Sequence, residues 1–449
     1  MVRPSDPRSA AAALLSFVFP GVGQAYNGQW ALASLLAVPV LLLLVLGILV
    51  WVASGSGVIS RLLDPRVLVA LIVLDVALLG WRLVAILQAH AERSRLTFRG
   101  WPTWVTGGLV VATLLMHALP AYYAAKAIDT LGSVALEGGG GLGGRQEGGL
   151  DVAAPSIQPE VELGERVTVL LAGVDFAPGR AHHLTDTMLV ATLDPETGEG
   201  AMISVPRDLY GVPLSDGRVY NAKLNSLMAT ASADPAGYPE GGPATLKGAI
   251  GELLGTDIHY FAAIDIEGMR QVIDTIGGVE VTVERTINDP QYSDTLTGQR
   301  GFYLEAGERH LDGYTALGYA RSRMSAGESD FTRAERQQVL LTAIAEKLTA
   351  GNLLVTLPGL LDAVRDNVAT DIPGDRLPDL AEAIQDADLG DLEQVVLTPP
   401  EYVIPESNSV AGYILHPVME AIDALSERIF DSGPDDGAID AGPSVSPSP

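Results

Sequence analysis

Residues 166–173 read RVTVLLAG, a β-branched and apolar run closed by glycine, the pattern of a buried strand. Residues 187–193 (TMLVATL) and 200–205 (GAMISV) repeat it, and Asp194-Pro195-Glu196-Thr197-Gly198 between them is a strong turn. Those two runs are therefore expected to pair as a hairpin. Beyond them helical and extended patterns alternate. Residues 244–254 have helical spacing, 260–264 are strand-like, 266–276 are helical and closed by Gly277-Gly278, and 279–283 alternate as a strand. Residues 334–348 form an amphipathic helix with Val339, Leu340, Ala343, Ile344 and Leu348 on one face. The region 351–430 adds helix-like segments and an apolar strand at 394–397. Strands interleaved with helices imply an α/β sandwich over one sizeable core.

Upstream the chain changes character. Three apolar runs, 31–53, 67–87 and 103–123, approach the length a helix needs to cross a bilayer. Trp51, Trp81, Trp101 and Trp104 lie near their ends, where aromatic belts form. Inside the second run, Arg82 is near an end and can snorkel, whereas Asp75 is deep and needs a partner helix. A shorter run, 10–19, is broken by Pro20-Gly21, and the words FPGVGQAYNGQ after it suggest a hairpin or re-entrant turn. Full insertion of 10–26 would give four spans in place of three. Arg93, Arg95 and Arg99 mark the second connection as cytoplasmic, which puts the C-terminal domain outside in either case. Residues 132–150, GSVALEGGGGLGGRQEGGL, lack the leading strand and the Lys-Ser/Thr of a phosphate loop and read as a tether. The expected division is a membrane domain at 1–126, a Gly-rich linker at 127–163, a catalytic domain at 164–430 and an acidic, Pro/Ser-rich tail at 431–449.

Composition excludes several chemistries. The 449 residues hold no cysteine, which removes disulfides, Cys-ligated zinc and thiol catalysis together. A net charge of -27 argues against non-specific nucleic-acid binding. Against that acidity, Arg321, Arg323, Arg333 and Arg336 crowd into YARSRMSAGESDFTRAERQ, residues 319–337. A cluster of planar, permanently charged forks suits a site that grips several phosphate oxygens. The competing reading is a solvated helix face neutralised by Glu328, Asp330 and Glu335. Asp175 follows the first strand and Asp186 precedes the second, so if these strands are neighbours both carboxylates can share a sheet edge. With no His or Cys near them they suit Mg²⁺, although each alone is as readily a turn or cap residue. Pro206 ends the third strand and presents Arg207 from a turn, and Lys223 is one of few lysines. His182, His183 and His310 lack ligand spacing. A set of Arg, Lys and Asp suits phosphoryl transfer, where catalysis is mainly positioning and charge neutralisation.

Residues from about 164 to 430 resemble the LytR-CpsA-Psr family of cell-envelope proteins. The resemblance runs in order through GVD at 173, TDTML at 185, SVPRD at 204, KLN at 223, AIDIEGMRQVIDTIGGVEVTV at 263, LDGYTALGYARSR at 311 and SDFTRAERQQ at 329. It implies an α/β(α) sandwich with a central mixed sheet and a Mg²⁺-dependent phosphotransferase acting outside the membrane. Such enzymes move a glycopolymer from a polyprenyl-pyrophosphate carrier onto peptidoglycan. By that resemblance Asp175 and Asp186 would hold the metal. Arg207, Arg321, Arg323 and Arg333 would bind the pyrophosphate and act in catalysis, with Lys223, Arg336 and Gln337 as further contacts. Asp330 would either orient an arginine or accept the acceptor hydroxyl's proton, and the lipid tail would enter an apolar cleft. The chain departs from the family pattern in having Phe176-Ala177-Pro178 where an arginine commonly follows GxD, Leu184 where another often precedes the second Asp, and more than the usual single span. Two other readings stand beside the transferase: a polyprenyl-pyrophosphate pyrophosphatase, and a non-catalytic envelope sensor or scaffold that retains lipid pyrophosphate.

Overall fold

The computed structural model describes residues 6–54, 64–94, 100–134, 165–174, 184–294, 297–325, 327–350, 359–360, 362–363, 367–373, 376–387 and 390–430. The Gly-rich stretch beyond 134 and the tail from 431 lie outside the described residues, as do Asp175, Arg180, His182 and His183.

The N-terminal region is helical: α1 (Pro7–Val18), α2 (Val22–Tyr26), α3 (Trp30–Ser54), α4 (Pro65–Ser94) and α5 (Trp101–Val134). Three of these are long and apolar enough to cross a membrane, over Trp30–Val50, Pro65–Arg93 and Trp101–Thr130. At 12 residues α1 is too short to span, and the chain turns at Gly21 into α2. Gly21 has φ 99°, and a Cβ there would press into Ala33 of α3, so the turn requires glycine. The α1–α2 hairpin is pinned to α4 by polar groups. Buried Gln24 donates to the Ala85 carbonyl at 2.8 Å and to Gln88 at 2.9 Å. Arg82 Nη2 donates to the Phe17 carbonyl at 2.6 Å, which satisfies the end of α1. Asp75 finds the partner helix it needs, with Oδ1 lying 2.7 Å from His117 Nδ1 of α5. Helix α5 continues past residue 126 into the segment read as linker.

The C-terminal domain begins with β1 (Val167–Val174), β2 (Thr185–Leu193) and β3 (Gly200–Ser204), all antiparallel neighbours. The expected β2–β3 hairpin is present, and Gly198 closes it at φ 75°. A small hairpin, β4 (Tyr210–Pro213) and β5 (Val219–Lys223), leads to α6 (Leu227–Ala233) and α7 (Gly242–Leu254). Next come β6 (Tyr260–Asp265), parallel to β1, and α8 (Ile266–Thr275), whose N-cap Asp265 accepts from Gly268 N. Then β7 (Val279–Val283), β8 (Ile287–Ser293), β9 (Arg300–Leu304) and β10 (Gly307–Leu311) form two ribbons, β7 with β10 and β8 with β9. Helices α9 (Gly313–Arg321) and α10 (Asp330–Ala350) precede β11 (Val368–Thr370), α11 (Leu377–Asp386) and β12 (Glu393–Val396). The hairpin β13 (Val403–Ser409)–β14 (Gly412–Pro417) and helix α12 (Met419–Phe430) complete the described chain.

The central sheet runs β11-β6-β1-β2-β3-β12 and is mixed, with β6 beside β1 and β12 beside β3 as the parallel pairs. The expected α/β sandwich is therefore the observed fold. Alternate residues of β1 go to opposite faces. Leu170, Ala172 and Val174 join Met188, Phe261, Leu246 and Ile422 in a core on the α7 and α12 side. A second core on the opposite side joins Ile273 of α8, Leu311, Tyr319 and the Leu340–Ile344 face of α10. Buried Gln338 fastens α10 to the sheet by donating to Met202 O, Ser204 Oγ and Val395 O at 2.9–3.1 Å. That fixes where the first turns of α10 meet the ends of β2 and β3.

Candidate active site

Four chain segments deliver polar groups to one end of the sheet. β2 enters it at Thr185, opposite Val174 at the end of β1, and places Asp186 there. Past β3, Val205 still pairs with Met188, after which Pro206 turns the chain and sets Arg207 at the end. α9 stops at Arg321. The loop beyond it is held by Asp289 of β8, whose Oδ2 accepts from Ser322 Oγ at 2.8 Å, Arg323 N at 2.9 Å and Met324 N at 3.1 Å. Finally α10 opens with a reciprocal cap: Ser329 Oγ accepts from Thr332 N at 3.1 Å while Ser329 N donates to Thr332 Oγ1 at 2.9 Å. Asp330 and Arg333 follow on its first turn.

These segments form a continuous belt of alternating charge. Arg323 Nη2 lies 4.0 Å from Asp186 Oδ2, and Arg207 Nη1 donates to Asp186 Oδ1 at 2.7 Å. Arg207 Nη2 reaches Asp330 Oδ2 at 3.4 Å, and Arg333 Nη1 donates to Asp330 Oδ1 at 2.6 Å. Arg321 stands beside the belt with its Nη1 buried and without a hydrogen-bond partner among the described residues. With Arg321 the arginines outnumber the two carboxylates. Burial above all, and then Arg323, push the Arg333 guanidinium down to about 10 despite Asp330. Burial, with Arg207, also lowers Arg323. Arg207 is raised, because Asp186 and Asp330 outweigh its own burial. Burial would raise Asp330, but Arg333, Arg207 and Arg323 together hold it below the usual carboxylate range. The belt is thus a desolvated cationic site with an ionised carboxylate inside it, and an added anion would relieve its unbalanced charge.

Two clefts lie on either side of the first turns of α10. The larger, about 490 Å³, runs over β6, β1 and β2. Its floor and walls are apolar (Leu171, Leu189, Ala262, Met269, Leu317, Leu341), and Arg321 and Arg323 stand among its polar lining. The smaller, about 180 Å³, runs over β2, β3 and the end of β12, and is lined by Arg207, Asp330, Ser329, Phe331 and Tyr413 among others. Asp186, Thr187, Arg333 and Gln337 line both.

Asp186, Arg207, Arg321, Arg323, Asp330, Arg333 and Gln337 are therefore brought together as the sequence suggests. Two expected contacts are placed elsewhere. Lys223 Nζ donates to buried Asp208 Oδ1 at 2.8 Å and lines neither cleft; Asp208 Oδ2 also lies 3.7 Å from Arg207 Nε, so the pair braces the belt from behind. Arg336 is committed to Glu328 at 2.8 Å and to the Ser322 carbonyl at 2.7 Å, and it lies over the Tyr319 ring. It anchors the loop and faces neither cleft. Asp289 escaped the sequence reading because Asp-Pro inside a polar run resembles a turn, and Tyr413 because its strand carries no apolar alternation. Asp175 lies outside the described residues. Among the described residues no three acids or histidines converge on a common point. Asp186 is a hard oxygen donor of the kind Mg²⁺ takes together with waters and substrate phosphates; its Oδ1 is bonded to Arg207, while its Oδ2 lies 4.0 Å from Arg323.

Residues 147–425 match the LytR_cpsA_psr family. A polyisoprenyl-teichoic acid–peptidoglycan teichoic acid transferase TagU of Oceanobacillus iheyensis is 28% identical over 290 residues, covering 63% of this chain and 80% of that protein. The corresponding TagV of Bacillus subtilis is 28% identical over 206 residues, 46% of this chain and 49% of its own. The crystal structure of B. subtilis TagV covers 60% of this chain and 99% of its own, with 23% identity and a TM-score of 0.48. With most of the chain inside the matched region, the protein belongs to the LytR_cpsA_psr family.

Proposed function

We propose that this chain is a membrane-anchored, Mg²⁺-dependent phosphotransferase that moves a glycopolymer from a polyprenyl-pyrophosphate carrier onto peptidoglycan. The observation that carries the reading is the arginine belt standing between an apolar cleft and a smaller polar one. A lipid pyrophosphate has the matching halves, a greasy tail and a compact polyanion. The tail lies in the larger cleft along Leu171, Leu189 and Leu341, and the pyrophosphate meets Arg321, Arg323, Arg333 and Arg207. The spans α3 to α5 hold the domain at the bilayer that contains the carrier, with the domain on the outer side. The transferases whose names describe polyisoprenyl-linked teichoic acid as donor and peptidoglycan as acceptor support this choice of substrates.

In the reaction an acceptor hydroxyl oxygen attacks the phosphorus on the glycopolymer side of the pyrophosphate. The new O–P bond gives a phosphodiester, and the bond to the bridging oxygen breaks to release polyprenyl monophosphate. The hydroxyl proton passes to Asp330. Its low pKa is no obstacle, because phosphoryl transfer through a loose transition state needs orientation of the nucleophile more than a strong base. The arginines take up charge on the equatorial and leaving oxygens and need little reorganisation to do so. Asp186, and by the family resemblance Asp175, would hold Mg²⁺, which would supply further neutralisation of the phosphates.

The full chain in lipid nanodiscs, given a labelled polyprenyl-pyrophosphate glycan and peptidoglycan fragments, tests this. Label is expected on peptidoglycan with Mg²⁺ and to fall at least tenfold with EDTA. Release of glycan phosphate into water alone would establish the pyrophosphatase, and retention without turnover the scaffold.

A further inference from the structure

The donor occupies the larger cleft and the belt, which leaves the 180 Å³ cleft without a ligand. Its position matters because attacking and leaving oxygens stand roughly in line across the transferred phosphorus. A polyprenyl phosphate leaving toward the larger cleft requires a nucleophile arriving from the other side of the first turns of α10. The smaller cleft opens there, and Asp330, which lines it, does not line the larger one. Asp330 Oδ1 is held firmly by Arg333 at 2.6 Å, whereas among the described residues Oδ2 has the long 3.4 Å contact to Arg207, so Oδ2 is the oxygen with capacity for a further hydrogen bond.

The lining is two-faced. Asp208, Ser329 and Asp330 supply polar edges, while Phe331, Leu415 and Tyr413 supply an apolar wall. Phe331 comes from α10, whereas Tyr413 and Leu415 belong to the β13–β14 hairpin, which is fastened to the segment that carries Arg207. Leu415 N donates to the Asp208 carbonyl at 3.0 Å, Leu415 bridges Leu209, and the His416 ring packs edge-on against Tyr210 at 6.3 Å. Tyr413 itself is 41% exposed, so its ring has a face open to a ligand. Burial raises its hydroxyl pKa, as do the nearby carboxylates Asp208 and Asp330, which agrees with a position over the cleft. A pyranose ring has the same two faces, one of apolar C–H groups and one of hydroxyls. The cleft is too small for a lipid chain or a polymer and, among the described residues, is lined by no cation other than those of the belt.

Resting on the transferase reading, we infer that the smaller cleft is the acceptor subsite: it takes a neutral saccharide unit whose ring packs on Tyr413 and whose reacting hydroxyl is directed at Asp330 Oδ2. Tyr413 is then a specificity-determining residue that acts on the acceptor and not on the lipid donor.

Steady-state transfer by the full chain in nanodiscs, with acceptor (a soluble peptidoglycan oligosaccharide) and donor varied in turn, tests this on wild type, Tyr413→Ala and Tyr413→Phe. Tyr413→Ala is expected to raise the acceptor KM about tenfold, the loss of one aromatic packing contact, with the donor KM within about twofold. Tyr413→Phe is expected to keep both constants within about twofold, because the ring and not the hydroxyl makes the contact. Thermal unfolding of each variant confirms folding. An unchanged acceptor KM in folded Tyr413→Ala, beside normal wild-type transfer, overturns the subsite and leaves the transferase standing. A parallel rise in both KM values also overturns it. Absence of transfer by wild type removes the transferase reading, and the acceptor subsite falls with it.

Discussion

Replacing Arg333 with alanine is expected to lower transfer by about a thousandfold while leaving a folded protein. Arg333 is the one arginine of the belt that lines both clefts, and it is also the most buried. Its charge has been stripped of water without full compensation, which is why burial and Arg323 push its pKa down to about 10. Such a group interacts weakly with the empty site and strongly with an arriving polyanion, and more strongly still as charge develops on the leaving oxygen. The variant loses that interaction, and it also loses the 2.6 Å contact that orients Asp330. Most of the effect should therefore fall on kcat. Arg333→Lys should recover only part of it, since an ammonium restores charge but not the planar fork. Folding should suffer little, because the alanine also removes a desolvated cation. Rates for the three proteins, with a melting curve for each, check this. A folded Arg333→Ala protein within about tenfold of wild type would contradict the placement of the pyrophosphate on the belt.

The second large effect lies far from the site. Lys247 of α7 and Asp371, just past β11, form an ion pair at 2.6 Å in which both side chains are buried. Asp371 also accepts from Phe261 N of β6 at 2.5 Å, and Lys247 donates to the His259 carbonyl at 3.1 Å. The pair bolts α7 and the strand edge to the sheet. Asp371→Ala strands a buried ammonium and a strand amide together, which is expected to cost about 3–5 kcal/mol. That corresponds to a fall in melting temperature on the order of 10 °C for a domain of this size. A double variant, Lys247→Met with Asp371→Leu, should recover much of the loss, because it removes the orphaned charge along with its partner. A shift of less than about 1 kcal/mol in Asp371→Ala would show that water reaches the pair.

The sheet was legible where apolar residues occupy both faces of a strand. RVTVLLAG, TMLVATL and GAMISV became β1, β2 and β3 because continuous apolar runs with a marked turn have few alternatives. β8, INDPQYS, and β13, VIPESNS, were not legible, since each carries proline and polar residues and takes its strand form from its hairpin partner. That gap hid part of the site, because Asp289 on β8 positions the Arg323 loop and Tyr413 on β14 walls the smaller cleft. Residue type identified the belt arginines but could not separate them from Arg336, three positions after Arg333. The difference lies in Glu328 and the Ser322 carbonyl, which claim Arg336 only once the loop has folded back onto α10. Lys223 is a similar case, drawn to Asp208, an acid whose place beside Arg207 in the sequence does not reveal the pairing. In the membrane region Asp75 signalled its need for a partner, whereas the pairing of Arg82 with Phe17 depends on how α1 packs against α4.

The central claim is that the belt grips a lipid pyrophosphate with its tail in the larger cleft. A structure of the full chain with a non-hydrolysable polyprenyl-pyrophosphate analogue tests it most directly. The expected result has phosphate oxygens within hydrogen-bond distance of Arg321 Nη1 and Arg333, and the isoprenoid chain against Leu171, Leu189 and Leu341. An analogue seated elsewhere, with the arginines still bound to Asp186 and Asp330 alone, would contradict the account.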